Sequence, residues 1–228
     1  MIHQFIFAAP KPGLTVKEFQ DYWVHVHAVK FASRITQIRR YLIDTRIRFD
    51  GDTGSPPLPH QGIAEIWLDN EQDQLASLQS EQFIQGARAD EPNWAAFWLA
   101  IVLDTTAHEI MPGDPPGNGV KLTTLLKRRP GMSLEDYREA SLTAYAPVAD
   151  GLPGLRRHLH CHTRDSAYVF GESSFDSVEQ WWFDDVDALR AALHSPYRAG
   201  RVAPARAAIT DQRYVFSLAA RENWIFGG

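Results

Sequence analysis

The chain has 228 residues, of which 44% are hydrophobic and 22% are charged, a composition typical of folded proteins and not of disordered ones. No apolar run approaches the roughly 18 residues of a membrane helix. A net charge of −5 argues against nucleic acid or an anionic membrane as a partner, which leaves a small molecule or another protein. Because Cys161 is the only cysteine and the N-terminus lacks a basic, apolar leader, we expect no disulfide and a cytoplasmic location.

The first half of the chain, residues 1–110, predicts four strands and two helices. Thr15, followed three residues later by Glu18, has the capping-box pattern that starts a helix. In chain order the predicted elements are a strand over 2–8, a helix over 15–33, strands over 38–48 and 62–68, a helix over 70–88 and a strand over 99–110. This β-α-β-β-α-β order is that of a ferredoxin-like unit.

The second half, residues 120–228, repeats the first. Pro130-Gly131 matches Pro12-Gly13, and a Pro- and Gly-rich linker over 111–119 separates the halves. Its predicted elements are a strand over 120–127, a helix over 133–149, strands over 155–164 and 177–183, a helix over 185–200 and a strand over 212–226. The fold class is therefore α+β, with two ferredoxin-like units whose sheets pair as one pseudo-twofold α/β barrel.

A histidine beside aromatic residues is the first candidate for chemistry. Phe19, Trp23 and His27 are spaced four apart, so a helix places them on one face. Imidazole titrates near neutral pH and can act as a general acid or base. The alternative is a buried histidine that packs on Trp23 and makes one hydrogen bond.

The first strand offers a second histidine. Period-two alternation puts His3, Phe5 and Phe7 on one face, which suits the wall of an aromatic pocket. The competing interpretation is a histidine at a frayed strand end.

Two charged residues lie among apolar neighbours in the next strands. Arg40 could hold a substrate carboxylate or enolate. Glu65 shares its predicted strand face with Trp67. A structural Arg40–Glu65 ion pair is the alternative, and it is favoured.

Three histidines alternate in the second half. On a strand His158, His160 and His162 point the same way, and two imidazoles at that spacing can converge on a metal ion. A third ligand would be His162 itself, His194 or Glu179. A polar strand without metal is the favoured alternative.

The first half resembles the EthD family of dimeric α/β barrel proteins. The resemblance lies in Pro12-Gly13, then Tyr22-Trp23 on a helix, then His27 and a small residue. The second half departs from that pattern, with Ala140-Ser141 in place of Tyr22-Trp23. The resemblance implies one site per chain and a ferredoxin-like fold. The wider superfamily includes polyketide cyclases, muconolactone isomerases, cofactor-free monooxygenases and haem proteins, so it does not fix the reaction.

These observations predict a cofactor-free lyase, isomerase or cyclase acting on an aromatic or polyketide-like molecule. His27 would be the acid or base, with His3 or Arg40 holding an oxygen. The predicted pocket residues are Tyr22, Trp23, Phe5, Phe7, Glu65 and Trp67. The alternatives are a non-catalytic binding protein, or an enzyme that uses a divalent transition metal or haem. Pairing of the halves removes the usual need for a homodimer, although further dimerisation stays open.

Overall fold

The structure, a computed structural model, describes residues 1–114, 117 and 119–228. The described residues divide into two compact units. The first unit comprises Met1–Arg46, Pro59–Asp104 and Glu222–Gly228, and the second comprises Ile47–Leu58 and Thr105–Arg221. These bounds differ from the predicted halves, because residues 47–58 belong to the second unit and residues 222–228 to the first. Of the predicted linker 111–119, residues 115, 116 and 118 lie outside the described residues.

The first unit follows the predicted order of elements, but its helices are composite. They contain α-helical, π-helical and 3-10 segments in succession. The elements are β1 Ile2–Ala8, α1 Val16–Tyr22, a π-helical turn Trp23–His27, α2 Ala28–Lys30, a 3-10 turn Ala32–Arg34, β2 Ile38–Arg46, β3 Gly62–Leu68, α3 Glu71–Gln79, a π-helical turn Gln82–Ala87, α4 Arg88–Asp90, 3-10 turns Glu91–Asn93 and Phe97–Leu99, and β4 Ile101–Met111.

Strand β3 lies between β1 and β2 and is antiparallel to both. One face of this sheet packs on the helices through a core that includes Ile2, Tyr41 and Ile66. Helix α1 begins where predicted, because the Thr15 side chain accepts from the Glu18 N–H and the Glu18 carboxylate accepts from the Thr15 N–H. Gly13, in the turn before it, has a φ of 98°, which suits glycine.

The second unit has the same succession of elements. They are β5 Val120–Arg128, α5 Leu134–Ala140, a π-helical turn Ser141–Tyr145, α6 Ala146–Ala149, β6 Arg157–Thr163, a 3-10 turn Asp165–Tyr168, β7 Ser177–Phe183, α7 Val186–Leu193, a π-helical turn Arg198–Val202, α8 Ala203–Ile209 and β8 Thr210–Phe226. Within it the strands are ordered β4-β6-β7-β5-β8, with every neighbouring pair antiparallel. Its core lies between this sheet and its own helices and includes Tyr137, Trp181 and Leu189.

The helix-and-strand composition confirms the predicted α+β class. The ferredoxin-like character of each unit and the pseudo-twofold barrel stay predictions. No helix among the described residues is long and apolar enough to cross a membrane.

Candidate active site

A cavity of about 170 Å³ lies in the first unit between the sheet and the helices. Its walls are mostly aliphatic and aromatic. Leu78 and Val102 line it while 47% and 49% exposed, so they mark where it meets solvent. A dry apolar cavity of about 150 Å³ can take up benzene, so this one has room for at least one aromatic ring.

His27 is the histidine that lines this cavity. It closes the π-helical turn Trp23–His27, in which the Ala28 N–H donates to the carbonyl of Trp23. The wider π turn still keeps Trp23 and His27 on the same wall, and Trp94 packs against both, with ring centroids 4.9 and 4.6 Å away. His27 is 6% exposed, and its burial lowers the pKa of the imidazole, although Asp90 acts in the opposite direction. His27 is therefore neutral at pH 7.

Asp90 holds the imidazole from the end of α4. Its Oδ2 is 2.9 Å from Nδ1 of His27, and its Oδ1 accepts from the Tyr22 hydroxyl at 2.8 Å and the Asn93 amide at 3.0 Å. Burial alone would raise the pKa of the Asp90 carboxyl, but the donors Asn93, His27 and Tyr22 lower it overall. A carboxylate that accepts three hydrogen bonds is thus ionised at neutral pH.

This ionised partner decides the tautomer of His27. An ionised carboxylate can only accept, so Nδ1 carries the proton and donates to Asp90. The indole N–H of Trp94 is 3.2 Å from the same Nδ1 and can only donate, so that contact is not a hydrogen bond in this tautomer. Among the described residues Nε2 of His27 has no hydrogen-bond partner, which leaves its lone pair for a ligand in the cavity.

A second acid lines the same cavity. Glu91 is 6% exposed, and its carboxylate accepts a hydrogen bond from Arg88. Burial raises its pKa to about 7, with Arg88 acting against the shift and Asp90 adding to it. The cavity therefore contains a neutral imidazole and a carboxyl group that titrates near neutral pH, a combination suited to moving protons.

The predicted residues of the first strand lie elsewhere. Gln4 and Ile6 line the cavity, so His3, Phe5 and Phe7 are on the opposite face of β1. Nε2 of His3 is 2.7 Å from Oε2 of Glu65, and both side chains are buried. The expectation that His3, Phe5 and Phe7 share a pocket with His27 is wrong, because alternation defined two faces without showing which one meets the helices.

Arg40, Glu65 and Trp67 also lie outside the cavity lining. Arg40 donates from Nε to the carbonyl of Gly227 at 2.7 Å, and its guanidinium lies 4.9 Å from the ring centre of Trp67. The predicted Arg40–Glu65 pair is wrong, since Glu65 pairs with His3. Arg40 is therefore not placed to hold a substrate oxygen in this cavity.

Two other predicted pocket residues, Tyr22 and Trp23, take different roles. Tyr22 donates to Asp90 and does not line the cavity, and burial together with the Asp90 contact raises the pKa of its hydroxyl. Trp23 lines the cavity, with Trp94 packed against it. Sequence reasoning missed Asp90 and Glu91, since they lie at the end of α4 and directly after it, far along the chain from His27, and match no motif.

The fold and the site together define an α+β protein with a histidine–aspartate pair at an apolar cavity. Similar folds occur in an anthrone oxidase-like protein (TM-score 0.65, 11% identity, 99% of this chain and 93% of that one). They occur also in a provisionally assigned monooxygenase from Lactobacillus acidophilus NCFM (TM-score 0.57, 9% identity, 98% and 95% covered). A provisionally assigned chlorite dismutase is a third (TM-score 0.53, 10% identity, 97% and 94% covered).

The family is shown by sequence. The EthD domain matches the chain twice, over residues 11–97 and 129–213. The chain therefore belongs to the EthD family, as a tandem of two domains, which confirms the predicted resemblance and extends it to the second half. No curated protein matches the chain significantly.

Proposed function

We propose that the first unit is a small-molecule enzyme in which Nε2 of His27 takes a proton from, or returns it to, a carbon of a ring-bearing substrate. The observation that carries this proposal is the hydrogen bond between Nδ1 of His27 and Asp90, which leaves Nε2 unpartnered at an apolar cavity. A carboxylate in this position fixes the tautomer and stabilises the imidazolium that forms when Nε2 gains a proton.

The cavity supports an apolar substrate with few polar groups. Aromatic and aliphatic side chains make most of its wall, and such pockets bind chiefly by apolar burial. Glu91, when protonated, can donate to a substrate carbonyl as charge develops on its oxygen. The reaction class is thus proton transfer next to a carbonyl, which includes isomerisation, cyclisation and decarboxylation of aromatic or polyketide-like compounds.

Proton exchange tests this proposal without a known product. In D₂O, a compound that loses a carbon-bound proton to Nε2 and regains a deuteron from the solvent exchanges a C–H bond for a C–D bond and is otherwise unchanged. We choose 2-tetralone, which has one aromatic ring, and anthrone, because one structural neighbour is described as anthrone oxidase-like. Deuterium incorporation is followed by mass spectrometry, and binding by quenching of tryptophan fluorescence from Trp23 and Trp94.

Matched variants of two histidines separate catalysis from binding. His27→Asn can still donate to Asp90 but is not a base, so we expect exchange to fall by about 10²- to 10⁴-fold while binding persists. His25→Asn makes the same change at an exposed position two residues away and should behave as wild type. Exchange by His27→Asn at the wild-type rate would refute the proposal. Binding without exchange in the wild type would favour the alternative, a non-catalytic carrier.

A further inference from the structure

A buried cluster of metal-ligating side chains lies within the second unit. One nitrogen of His158, one of His160 and one carboxylate oxygen of Glu179 lie within 4.8 Å of one another. All three residues are 0% exposed. They come from the neighbouring strands β6 and β7, in which His160 is directly opposite Glu179.

His160 is the anomaly in this cluster. Both of its ring nitrogens are buried, and neither has a hydrogen-bond partner among the described residues. Oε1 of Glu179 is 3.8 Å from its Nδ1, too far for a hydrogen bond. Buried polar groups are almost always paired, so an imidazole with two unpaired nitrogens beside a carboxylate indicates a missing ligand.

The other two residues are held as metal ligands usually are. Nδ1 of His158 is 2.8 Å from Oδ1 of Asp150, while its Nε2 is 3.1 Å from Oε1 of Glu179. The Tyr145 hydroxyl donates to the other oxygen of Glu179 at 2.9 Å. In metal sites, the histidine nitrogen that does not bind the metal usually donates to a carboxylate, and the carboxylate oxygen that does not bind the metal usually accepts a hydrogen bond. Such contacts orient the ligands. A protonated His158 would explain the contacts of His158 with Asp150 and Glu179, but it would leave both ring nitrogens of His160 without a partner.

We propose that the second unit binds one divalent transition-metal ion through Nε2 of His158, a ring nitrogen of His160 and Oε1 of Glu179. Two imidazoles and a carboxylate suit Zn²⁺ or Fe²⁺ better than Mg²⁺ or Ca²⁺, which prefer oxygen ligands. Tetrahedral Zn²⁺ with bonds of about 2.0–2.1 Å needs donor atoms about 3.3 Å apart. Oε1 of Glu179 is 3.1 Å from Nε2 of His158 and 3.8 Å from Nδ1 of His160, and the donor atoms of all three residues lie within 4.8 Å of one another.

The sequence offered this metal site only as an alternative and left its third ligand open between His162, His194 and Glu179. Glu179 is the one that lies with His158 and His160, whereas Nε2 of His162 is 2.7 Å from the Ser141 hydroxyl and is already partnered. The cluster is specific to the second unit. In the first unit the paired strands β2 and β3 carry Ile43 opposite Ala64 where β6 and β7 carry His160 opposite Glu179. This inference does not depend on the function proposed for the first unit.

Titration of the full chain with ZnCl₂ and with CoCl₂ tests the proposal. The protein is stripped with a chelator, and binding is followed by calorimetry and by the visible absorption of bound Co²⁺. We expect one ion per chain. His160→Leu should weaken binding at least 100-fold, and the metal-free variant should be no less stable to urea than metal-free wild type, because an unpaired polar group has been removed.

Further variants keep the test decisive. Glu179→Gln still accepts from Tyr145 and should lose binding to a similar extent, which covers the case of a His160→Leu chain that does not fold. Asp150→Asn should weaken binding about 10- to 100-fold. His194→Leu removes an exposed histidine outside the cluster and should leave binding unchanged. No stoichiometric binding by wild type, or equal binding by His160→Leu, would overturn the proposal.

Discussion

Replacement of Asp90 by Asn changes one charge at the centre of the first unit's site. The carboxylate accepts from His27, Tyr22 and Asn93 and is 5% exposed, so solvent screens these bonds little. Hydrogen bonds to a charged group contribute about 1.5–3 kcal/mol and neutral ones about 0.5–1.5 kcal/mol, so three weakened bonds cost roughly 3 kcal/mol of unfolding free energy. The new amide also presents an N–H to Nδ1 of His27, which favours the tautomer with the proton on Nε2. Exchange of 2-tetralone should then fall by about 10²- to 10⁴-fold.

Urea unfolding at several pH values measures the stability part of this prediction. The pKa of Asp90 is lowered in the folded protein, so its contribution is present above the unfolded value of about 3.9 and is lost as the pH falls below it. The difference between wild type and Asp90→Asn should therefore be full at pH 7 and shrink toward pH 3. Asp21→Asn makes the same change at an exposed site and should cost about 1 kcal/mol or less. The reasoning would be refuted if Asp90→Asn lost less than about 0.5 kcal/mol of unfolding free energy, the lower end for one neutral hydrogen bond, and exchanged 2-tetralone at the wild-type rate.

Three further variants address the cavity and its surroundings. Ala87→Leu adds three carbons to the cavity wall, so it should raise the unfolding free energy by up to about 2 kcal/mol and abolish quenching by 2-tetralone, whereas the exposed Ala76→Leu should do neither. The pKa of Glu91 is raised to about 7 in the folded protein, so the wild type loses unfolding free energy as the pH rises from about 4.5 through 7 and the carboxyl ionises. Glu91→Gln cannot ionise, so its unfolding free energy in urea titrations should rise by up to about 3 kcal/mol relative to wild type between pH 5 and pH 8. Glu65→Ala removes the buried contact between Glu65 and His3 and should lower the unfolding free energy by about 1–3 kcal/mol. Probe affinity in the folded protein should stay unchanged, because neither residue lines the cavity, and a large loss of affinity would place His3 in the site.

Local patterns predicted the elements well because they depend on near neighbours. Strands β3 and β7 begin and end at the predicted residues, 62–68 and 177–183, and Thr15 caps α1 as its capping box requires. The spacing of Trp23 and His27 also placed them on one wall, even though the segment is a π-helical turn.

What depended on contacts distant in sequence was not predictable in this way. Asp90 meets His27 across 63 positions, and no local pattern marks an aspartate as the partner of one histidine. Both faces of β1 carry large apolar side chains, so alternation could not show that Ile6, and not Phe5, would face the cavity. The meeting of His160 with Glu179 is likewise set by the pairing of β6 with β7, which the sequence of either strand alone does not show.

The protonation of His27 is the central claim, and NMR of its ring nitrogens measures it directly. Long-range ¹H–¹⁵N spectra of wild type, assigned with the His27→Asn variant, report which nitrogen carries the proton at each pH. Since burial lowers the pKa of His27 and Asp90 accepts from Nδ1, we predict a proton on Nδ1 alone at pH 7 and protonation of Nε2 only below the ordinary histidine range. A proton on Nε2 at pH 7, in either the other tautomer or an imidazolium, would contradict the account.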